Sequence, residues 1–390
     1  MTMNAPDTRP SNTSYTVTLH RSIAEIAADQ WDRLNPEQHP FLSHAFFSAL
    51  EESGSIGGDS GWDIHHLSAS DDDGNIIAIA PHFLKYHSYG EYVFDHSWAN
   101  AYERAGGRYY PKSLIAVPFT PVPGPRLLCD PQQSEAGFAL IQALQTLCEN
   151  HHLSSAHVNF ITAEDEDRLR AAGWSVRSGL QFHWHNQNYT DFTDFLSSLS
   201  SRKRKNIKKE RASLNALGVD FETVTGPALT AAHMDAFYQF YMATIEKKWG
   251  GAYLTHAFFR QIANTMADQI LLVLARRDGE MIAGALNFIG KDTLYGRNWG
   301  CSEEVPNLHF ETCYYQAIDF AIQHKLARVE AGAQGIHKVQ RGYVPVETKS
   351  AHFIPHEGFR TSIERFLAQE TQHVAMEAEA IMAESPYRRD

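Results

Sequence analysis

A stretch of seven residues occurs twice in this chain. Phe41-Leu42-Ser43-His44-Ala45-Phe46-Phe47 returns as Tyr253-Leu254-Thr255-His256-Ala257-Phe258-Phe259, an offset of 212 (253 − 41). Behind it, Gly74-x-x-Ile77-Ala78-x-Ala80-x-x-Phe83 returns as Gly279-x-x-Ile282-Ala283-x-Ala285-x-x-Phe288, an offset of 205 (279 − 74). Order, apolar spacing and, nearly, offset are shared, so one supersecondary unit is used twice. Two copies are too few for a solenoid, which needs several stacked repeats. They predict two homologous domains side by side, and a duplicated α/β domain places its ligands most naturally in the cleft between copies.

The 390 residues fit two such domains of roughly 170–190 residues each. Apolar residues make up 43% and charged residues 21%, the balance of an ordinary globular chain. No run approaches the ~20 apolar residues of a membrane-spanning helix. Residues 1–14 are polar, contain proline and have no apolar centre, which predicts a disordered tail rather than a signal peptide. Cys129, Cys148, Cys301 and Cys313 show neither CxxC spacing nor a disulfide framework. Reduced core thiols and a cytoplasmic setting are therefore expected. The net charge of −12 opposes a general nucleic-acid binder. Against that background, Arg202-Lys203-Arg204-Lys205-Asn206-Ile207-Lys208-Lys209-Glu210-Arg211 carries seven positive charges in ten residues.

The first unit, residues 15–190, reads as a strand at Tyr15–His20, a helix over Ser22–Leu34 with Ser22 as N-cap, and a second helix over Ser43–Leu50. Strands Trp62–Ala69 and Ile76–Tyr86 flank Asp71-Asp72-Asp73-Gly74, whose Asp-Gly pair signals a hairpin. Strand-like segments at Glu91–His96 and Ser113–Phe119 follow, then the Pro-rich Pro121–Pro125. A helix over Ser134–Asn150, a strand Ala156–Ile161, a helix Ala163–Ala172 and a strand Ser175–Trp184 complete it. The second unit, residues 191–390, opens with the basic helix 202–217. Helices Ala228–Lys247 and Thr255–Met266 come next, then a hairpin of Ile270–Arg276 and Met281–Ile289 through Arg277-Asp278-Gly279. A strand Thr293–Trp299, a helix Leu308–Lys325, a strand Ala327–Ala331 and a terminal helix 359–382 follow. The plan is α+β, with mostly antiparallel sheets flanked by helices. No G-x-G-x-x-G follows a first strand and no Walker loop occurs, so a doubly wound dinucleotide fold is not expected.

This element order resembles the GNAT acyltransferase fold, and its duplication resembles the tandem-GNAT, Fem-type peptidyltransferases. Pro121-Val122-Pro123-Gly124-Pro125 looks like the Pro-x-Gly-Pro turn of Fem domain 1. Leu199 to Lys209, running on to Leu217-Gly218-Val219, looks like the basic helix that opens Fem domain 2. The blocks His96-Ser97-Trp98-Ala99, Tyr102-Glu103, Tyr109-Tyr110-Pro111-Lys112, Leu308-His309-Phe310-Glu311 and Glu330-Ala331-Gly332-Ala333-Gln334-Gly335-x-His337-Lys338 resemble the bacterial FemAB-like, or "peptidoglycan biosynthesis/recognition", family. The resemblance runs from about Ile23 to Phe366. It implies two tandem GNAT-like domains and transfer of an amino acid from a charged tRNA to an amine on a peptidoglycan precursor. The long coiled-coil insertion of some Fem proteins is missing, since Arg202–Leu217 makes a single helix.

Amide-forming acyl transfer needs a base for the attacking ammonium and positive charge for the developing oxyanion. Val329 to Lys338 offers both, in a loop whose glycines let backbone approach a ligand. His337 suits the base, and Lys338 or Arg341 the oxyanion, with Gln334 beside them. His309 and Glu311 open the Asn307-capped helix and are expected at the same cleft; a first-turn carboxylate also has a plain role against the helix dipole. Arg297, in Tyr295-Gly296-Arg297-Asn298-Trp299-Gly300, resembles the start of the R/Q-x-x-G-x-G/A loop by which GNAT enzymes hold the CoA pyrophosphate. The following Cys301–Pro306 carries Glu303 and Glu304 and no further glycine, which opposes pyrophosphate there. Trp98, Arg104, Arg108 and Lys112 sit in or beside an aromatic and basic loop able to hold a phosphate and stack on a ring. Arg202, Lys203, Arg204, Lys205, Lys208 and Lys209 are candidate tRNA phosphate contacts, the alternative being a solvated helix face.

The histidines show no H-E-x-x-H spacing, so no metal and no tightly bound cofactor is expected. The leading expectation is a Fem-type N-acyltransferase with aminoacyl-tRNA, or else acyl-CoA, as co-substrate and a small-molecule or peptide amine as acceptor. The alternatives are an acyl-CoA-dependent N-acyltransferase of the GNAT fold and a non-catalytic protein that recognises a cell-wall peptide or sugar.

Overall fold

Each copy of the repeated stretch starts a helix for the same reason. Ser43 and Thr255 hold extended backbone, and their hydroxyls accept from the amides of Phe46 and Phe258, both at 3.2 Å. The two helices then pack on each other, with the Phe46 and Phe258 rings 5.8 Å apart in one apolar core drawn from both halves of the chain. The computed structural model describes residues 14–35, 37–247, 250–332 and 335–388. The expected tail therefore lies, but for Ser14, outside the described residues, as does Gln334.

The first half runs β1 (Thr16–His20), α1 (Ala28–Arg33), α2 (His44–Glu52), β2 (Trp62–Ile64), β3 (His66–Ser70), β4 (Ile76–Ala80), β5 (His82–Lys85), α3 (His96–Arg104), β6 (Lys112–Ile115), β7 (Leu128–Cys129), α4 (Ala136–Asn150), β8 (Ala156–Ile161), α5 (Ala163–Ala171) and β9 (Ser175–His185). The second runs α6 (Phe192–Ser198), α7 (Ser201–Ala216), β10 (Val219–Thr225), α8 (Ala231–Lys247), α9 (His256–Thr265), β11 (Ile270–Arg277), β12 (Glu280–Ile289), β13 (Thr293–Cys301), α10 (Leu308–Phe310), a π-helical segment Glu311–Tyr315, α11 (Gln316–Gln323), β14 (Arg328–Glu330), β15 (Val344–Phe353) and α12 (Glu357–Ala383).

One sheet crosses both halves in the order β10-β11-β12-β13-β14-β9-β15-β8-β6-β5-β2, and a smaller sheet is ordered β1-β3-β4-β7. Among the described strands only β6–β8 and β13–β14 pair in parallel. This is the α+β, mostly antiparallel class that the pattern predicted. β15 comes from the second half, yet pairs with β8 on one edge and β9 on the other. A division of the chain at residue 190 is therefore not a division of the sheet.

The hairpins show how the two copies diverged. In the second, Asp278-Gly279 makes a two-residue turn with φ of 52° and 84°, and β11 and β12 each remain one strand, with a register shift between Ala275 and Arg276. In the first, each long expected strand is cut in two. Pro81 has no amide to give a ladder and falls between β4, in the small sheet, and β5, in the large one. Elsewhere the expected helix Ser22–Leu34 is a short 3-10 turn followed by α1. The expected strand at Glu91–His96 is a loop leading into α3.

Helix α8 lies against β13 so closely that a Cβ on Gly300 would overlap the carbonyl oxygen of Phe240. Gly300→Ala is expected to cost about 1–3 kcal/mol of stability by overpacking. Gly250→Ala, where a Cβ meets nothing within 4 Å, should stay within about 0.5 kcal/mol of the parent. Urea unfolding of the three proteins checks the difference.

Candidate functional site

Strands β13 and β14 pair through Thr293↔Arg328, Leu294↔Val329 and Tyr295↔Glu330, and then part. Two local features drive them apart. On the β12 side, Leu286 faces Asn298 and Asn287 faces Gly296, so Arg297 is an extra residue that bends β13. After Glu330 the chain turns away at Gly332, whose φ is 75°. The gap opens into a small cavity of about 100 Å³ lined by Asn287, Arg297, Trp299, His309, Cys313, Tyr314 and Ala331.

Strand alternation divides the groups around this gap between two faces. Val329 and Trp184 enter the core beneath α11, while Glu330 and its partner His183 face the other half of the molecule. On that seam face the Tyr295 ring lies 5.2 Å from His39 and 5.4 Å from Phe41. Arg297 donates from Nη2 to the Phe119 carbonyl at 2.8 Å. Glu330 is 4% exposed; Arg328 Nε donates to its Oε1 at 3.3 Å, and His183 Nε2 stands 3.8 Å from Oε2. Burial pushes the Glu330 carboxyl up to about 7, against the pull of Arg328 and Arg297. Burial likewise holds His183 and His39 down to about 3, so both rings are neutral.

On the helix face, Lys338 is buried and its Nζ donates to the Gly332 carbonyl at 2.9 Å. Burial lowers its ammonium to about 8. His337 Nε2 is 2.9 Å from the Tyr314 hydroxyl, and its pKa is lowered by burial and by Arg341 and Lys338. His309 packs edge-on against Trp299 and Tyr314, with its ring centre 6.0 Å from that of His337. His309 and Arg297 thus line the cavity, with His337 joined to it through Tyr314 and Lys338 through the Gly332 carbonyl.

Glu311 does not join them. Two residues on a helix are ~200° apart, so Glu311 turns from His309 towards α7. There its Oε1 binds Arg211 at 2.9 Å and Gln316 at 2.8 Å. Arg341 lies 3.3 Å over the Phe310 ring and donates to both Glu210 oxygens at 3.0 and 3.1 Å. Both expected site charges are therefore committed to docking α7. Along that helix Arg202, Lys205, Lys208 and Lys209 are exposed and Lys203 and Arg204 half-buried. Among the described residues none of the six is paired with an acid.

The first-half candidates stand apart from the gap. Trp98 is buried with its ring 4.9 Å from His352. Arg104 and Arg108 are exposed, Arg104 Nε donating to the Asn100 carbonyl at 3.1 Å. Lys112 corrects the sequence reading: it is a β6 residue with no exposed surface and is not free to meet a ligand. Its Nζ binds Glu91 at 2.8 Å, Ser88 at 2.9 Å and also Asp95. Burial works against its charge, and Glu91 and Asp95 hold its pKa above the ordinary value. The parallel pair β6–β8 parts too, but there Gly124 N–H donates to the Phe160 carbonyl at 3.0 Å and the Pro-rich turn fills the space.

A larger groove of about 1180 Å³ lies between the halves, among Glu52, Asp59, Trp62, Tyr89, Phe119 and Tyr253. The Phe119 and Tyr253 rings stack 5.0 Å apart at one end of it, and Phe119 is the residue whose carbonyl Arg297 grips from the seam. Among the described residues no group of three or more His, Cys, Asp or Glu could hold a metal ion, and no helix is long and apolar enough to cross a membrane.

A family model described as FemAB-like, peptidoglycan biosynthesis/recognition, matches residues 22–389. Solved structures with a similar fold include FemX, at TM-score 0.55 and 13% identity over 87% of this chain and 98% of that one. The C-terminal domain of a putative lysylphosphatidylglycerol synthetase from Agrobacterium fabrum gives 0.52 and 11%, over 89% and 97%. L-PGS from Bacillus licheniformis gives 0.50 and 10%, over 83% and 96%. Among curated proteins no sequence matches this chain.

Removing one partner of the buried Lys112 cluster leaves two carboxylates without their counter-charge. Lys112→Ala is expected to destabilise the fold by about 3–5 kcal/mol, seen as a lower urea midpoint.

Proposed function

Because the chain belongs to the FemAB-like family of peptidoglycan biosynthesis and recognition, we propose that it is an N-acyltransferase that moves an aminoacyl group onto an amine acceptor. The observation that carries this reading is the parting of β13 and β14 beside Arg297, with the Lys338 ammonium held on the Gly332 carbonyl where the chain leaves β14. Where the strands separate, their facing backbone groups lose each other and are open to a ligand carbonyl. A buried ammonium at the mouth of such a gap is placed to meet the negative charge that develops on that carbonyl oxygen. Lys338 supplies it, and Arg297 adds positive charge from the seam.

For the donor we propose aminoacyl-tRNA. The six uncommitted cations of α7 lie on a helix whose inward residues, Glu210 and Arg211, bind Arg341 and the α10–α11 region. A polyanion held along α7 would thus end beside the segment that carries His337 and Lys338. One observation favours acyl-CoA as the second reading. Glu303 is paired with Arg277 and Glu304 with Lys247, so their charges oppose a pyrophosphate less than the sequence suggests. The loop still lacks the glycines of a backbone nest.

The test is an intact-mass screen of labelled aminoacyl-tRNAs and acyl-CoAs against amine acceptors, including a precursor pentapeptide with a free lysine side chain. Transfer from aminoacyl-tRNA is the expected result; transfer from acyl-CoA alone promotes the second reading, and transfer from neither removes both. Lys338→Ala should lower kcat by about 10²–10³ with little change in Tm. The ammonium is the active form, so activity should fall as pH rises through about 8; Lys338→Arg should move that limb upward. Reversing Arg202, Lys203, Lys205 and Lys208 to Glu should weaken tRNA binding and flatten its salt dependence, by up to ~0.7–0.9 in log–log slope for each phosphate no longer neutralised.

A further inference from the structure

Glu330 stands at the vertex where β13 and β14 part, and the roles assigned above leave it unused. It is the last residue of β14 to pair with β13, facing Tyr295 on one side and His183 on the other. Its side chain lies on the seam face, whereas Lys338 is held on the helix face. A carbonyl seated in the gap would therefore have its oxyanion stabiliser on one side of the sheet and Glu330 on the other.

The carboxylate is half-satisfied. Oε1 accepts from Arg328 Nε at 3.3 Å, while Oε2 is buried and accepts no hydrogen bond among the described residues. Buried polar atoms are nearly always paired, so an orphan oxygen on a 4%-exposed carboxylate calls for a partner that arrives with a ligand. Arg297 is near enough to attract the charge but spends its Nη2 on the Phe119 carbonyl. Glu311 also keeps one orphan oxygen, but it is bound by Arg211 and Gln316 on the α7 side and faces no gap.

We propose that Glu330 is the catalytic base, its Oε2 taking a proton from the acceptor's ammonium on the seam face. This rests on the transferase reading above and adds the side from which the acceptor comes. R–NH3⁺ gives one proton to the Glu330 carboxylate and becomes R–NH2. Its lone pair forms the C–N bond to the donor ester carbon, leaving an oxyanion beside Lys338. When the C–O bond to the donor breaks, the leaving oxygen takes a proton from Lys338, and the new amide nitrogen returns one to it. Glu330 then releases its proton to solvent.

The groups facing Glu330 suit this role. Arg328 lies on its own strand, Tyr295 and Arg297 on β13, His183 and His185 on β9, and Asp292 near the start of β13. His183 is held neutral by burial and by the positive charges of Arg328 and Lys338, so the proton rests on the carboxylate. With its pKa near 7, Glu330 is both partly ionised and basic enough at neutral pH.

The experiment measures kcat and KM against pH, with seryl-, alanyl- and glycyl-tRNA as donors and the lysine-containing pentapeptide as acceptor. Wild type should gain activity through about pH 7. Glu330→Gln should lose at least ~10²-fold in kcat at neutral pH, with KM little changed. Its rising limb should move towards the ionisation of the acceptor amine, and Glu330→Asp should restore part of the rate. A Gln variant with wild-type rate, or one that is slower but keeps the wild-type limb, overturns the proposal while leaving the transferase reading intact. Infrared difference spectra of wild type against Glu330→Gln follow the carboxyl without any substrate. A carboxylate already fully ionised well below neutral pH overturns the proposal even if no donor is turned over.

Discussion

Val344–Phe353 leaves the second half of the chain and pairs along both edges with strands of the first. That insertion makes eleven strands into one sheet, and the site depends on it. With β15 held between β8 and β9, strand β9 is fixed, and β9 is what β14 pairs with on its far side. The vertex at Glu330 is thus braced by both halves, which cannot turn about each other without breaking ladder hydrogen bonds. The insertion is secured in the interior by polar contacts. His157 of β8 meets His352 of β15 through their Nδ1 atoms at 2.6 Å, and burial lowers the pKa of both rings. One neutral ring donates and the other accepts, and a proton added to the pair would place a charge in the interior, which burial opposes.

Duplication gave two parallel strand pairs that separate, and the chain treats them differently. In the first, the Pro-rich turn enters the space and is locked there. Arg126, with no exposed surface, donates to the carbonyls of Val122, Gly124 and Pro125 at 2.5, 3.0 and 3.2 Å. A guanidinium that satisfies three backbone carbonyls cannot release the turn without leaving them unpaired in the core. Among the described residues the second gap has no such plug, and cationic and aromatic side chains gather round it instead. One copy has become scaffold, and the other keeps the opening where chemistry is proposed.

The sequence shows the repeat, the second hairpin and the long terminal helix because each follows from local pattern. What it hid depends on partners far along the chain. Val344–Phe353 contains a proline and three ionisable residues and offers no run of apolar alternation; it is a strand because β8 and β9 present edges to it. Lys112 reads as an available cation, since nothing local announces that Glu91 and Asp95 will close over it. Glu311 lies two residues from His309 in sequence, and helical rotation alone sends it to the opposite side. Glu330 is visible as a residue at a strand end, but the orphaning of one of its oxygens follows only from how Arg328, His183 and Arg297 are disposed around it.

The same logic explains how so hydrophilic a helix as α7 is held. Only Ile207 and Leu214 are buried along it, too little apolar surface to fix sixteen residues in place. Docking falls instead to the last charges of the basic run. Glu210, its sole acid, accepts from Arg341 and from Tyr315, and Arg211 reaches both Glu311 and Asp319. These contacts are half-buried or better, where ion pairs are screened less than on the open surface. The carbon chain of Arg341 leads from Glu210 back to the turn that carries His337 and Lys338, and its Nη1 donates to the His337 carbonyl at 2.9 Å. The inward charges therefore tie the outward ones to the turn that carries His337 and Lys338: on the proposed reading, an anion taken up by the exposed cations would be held in a fixed position relative to that turn through Glu210 and Arg341.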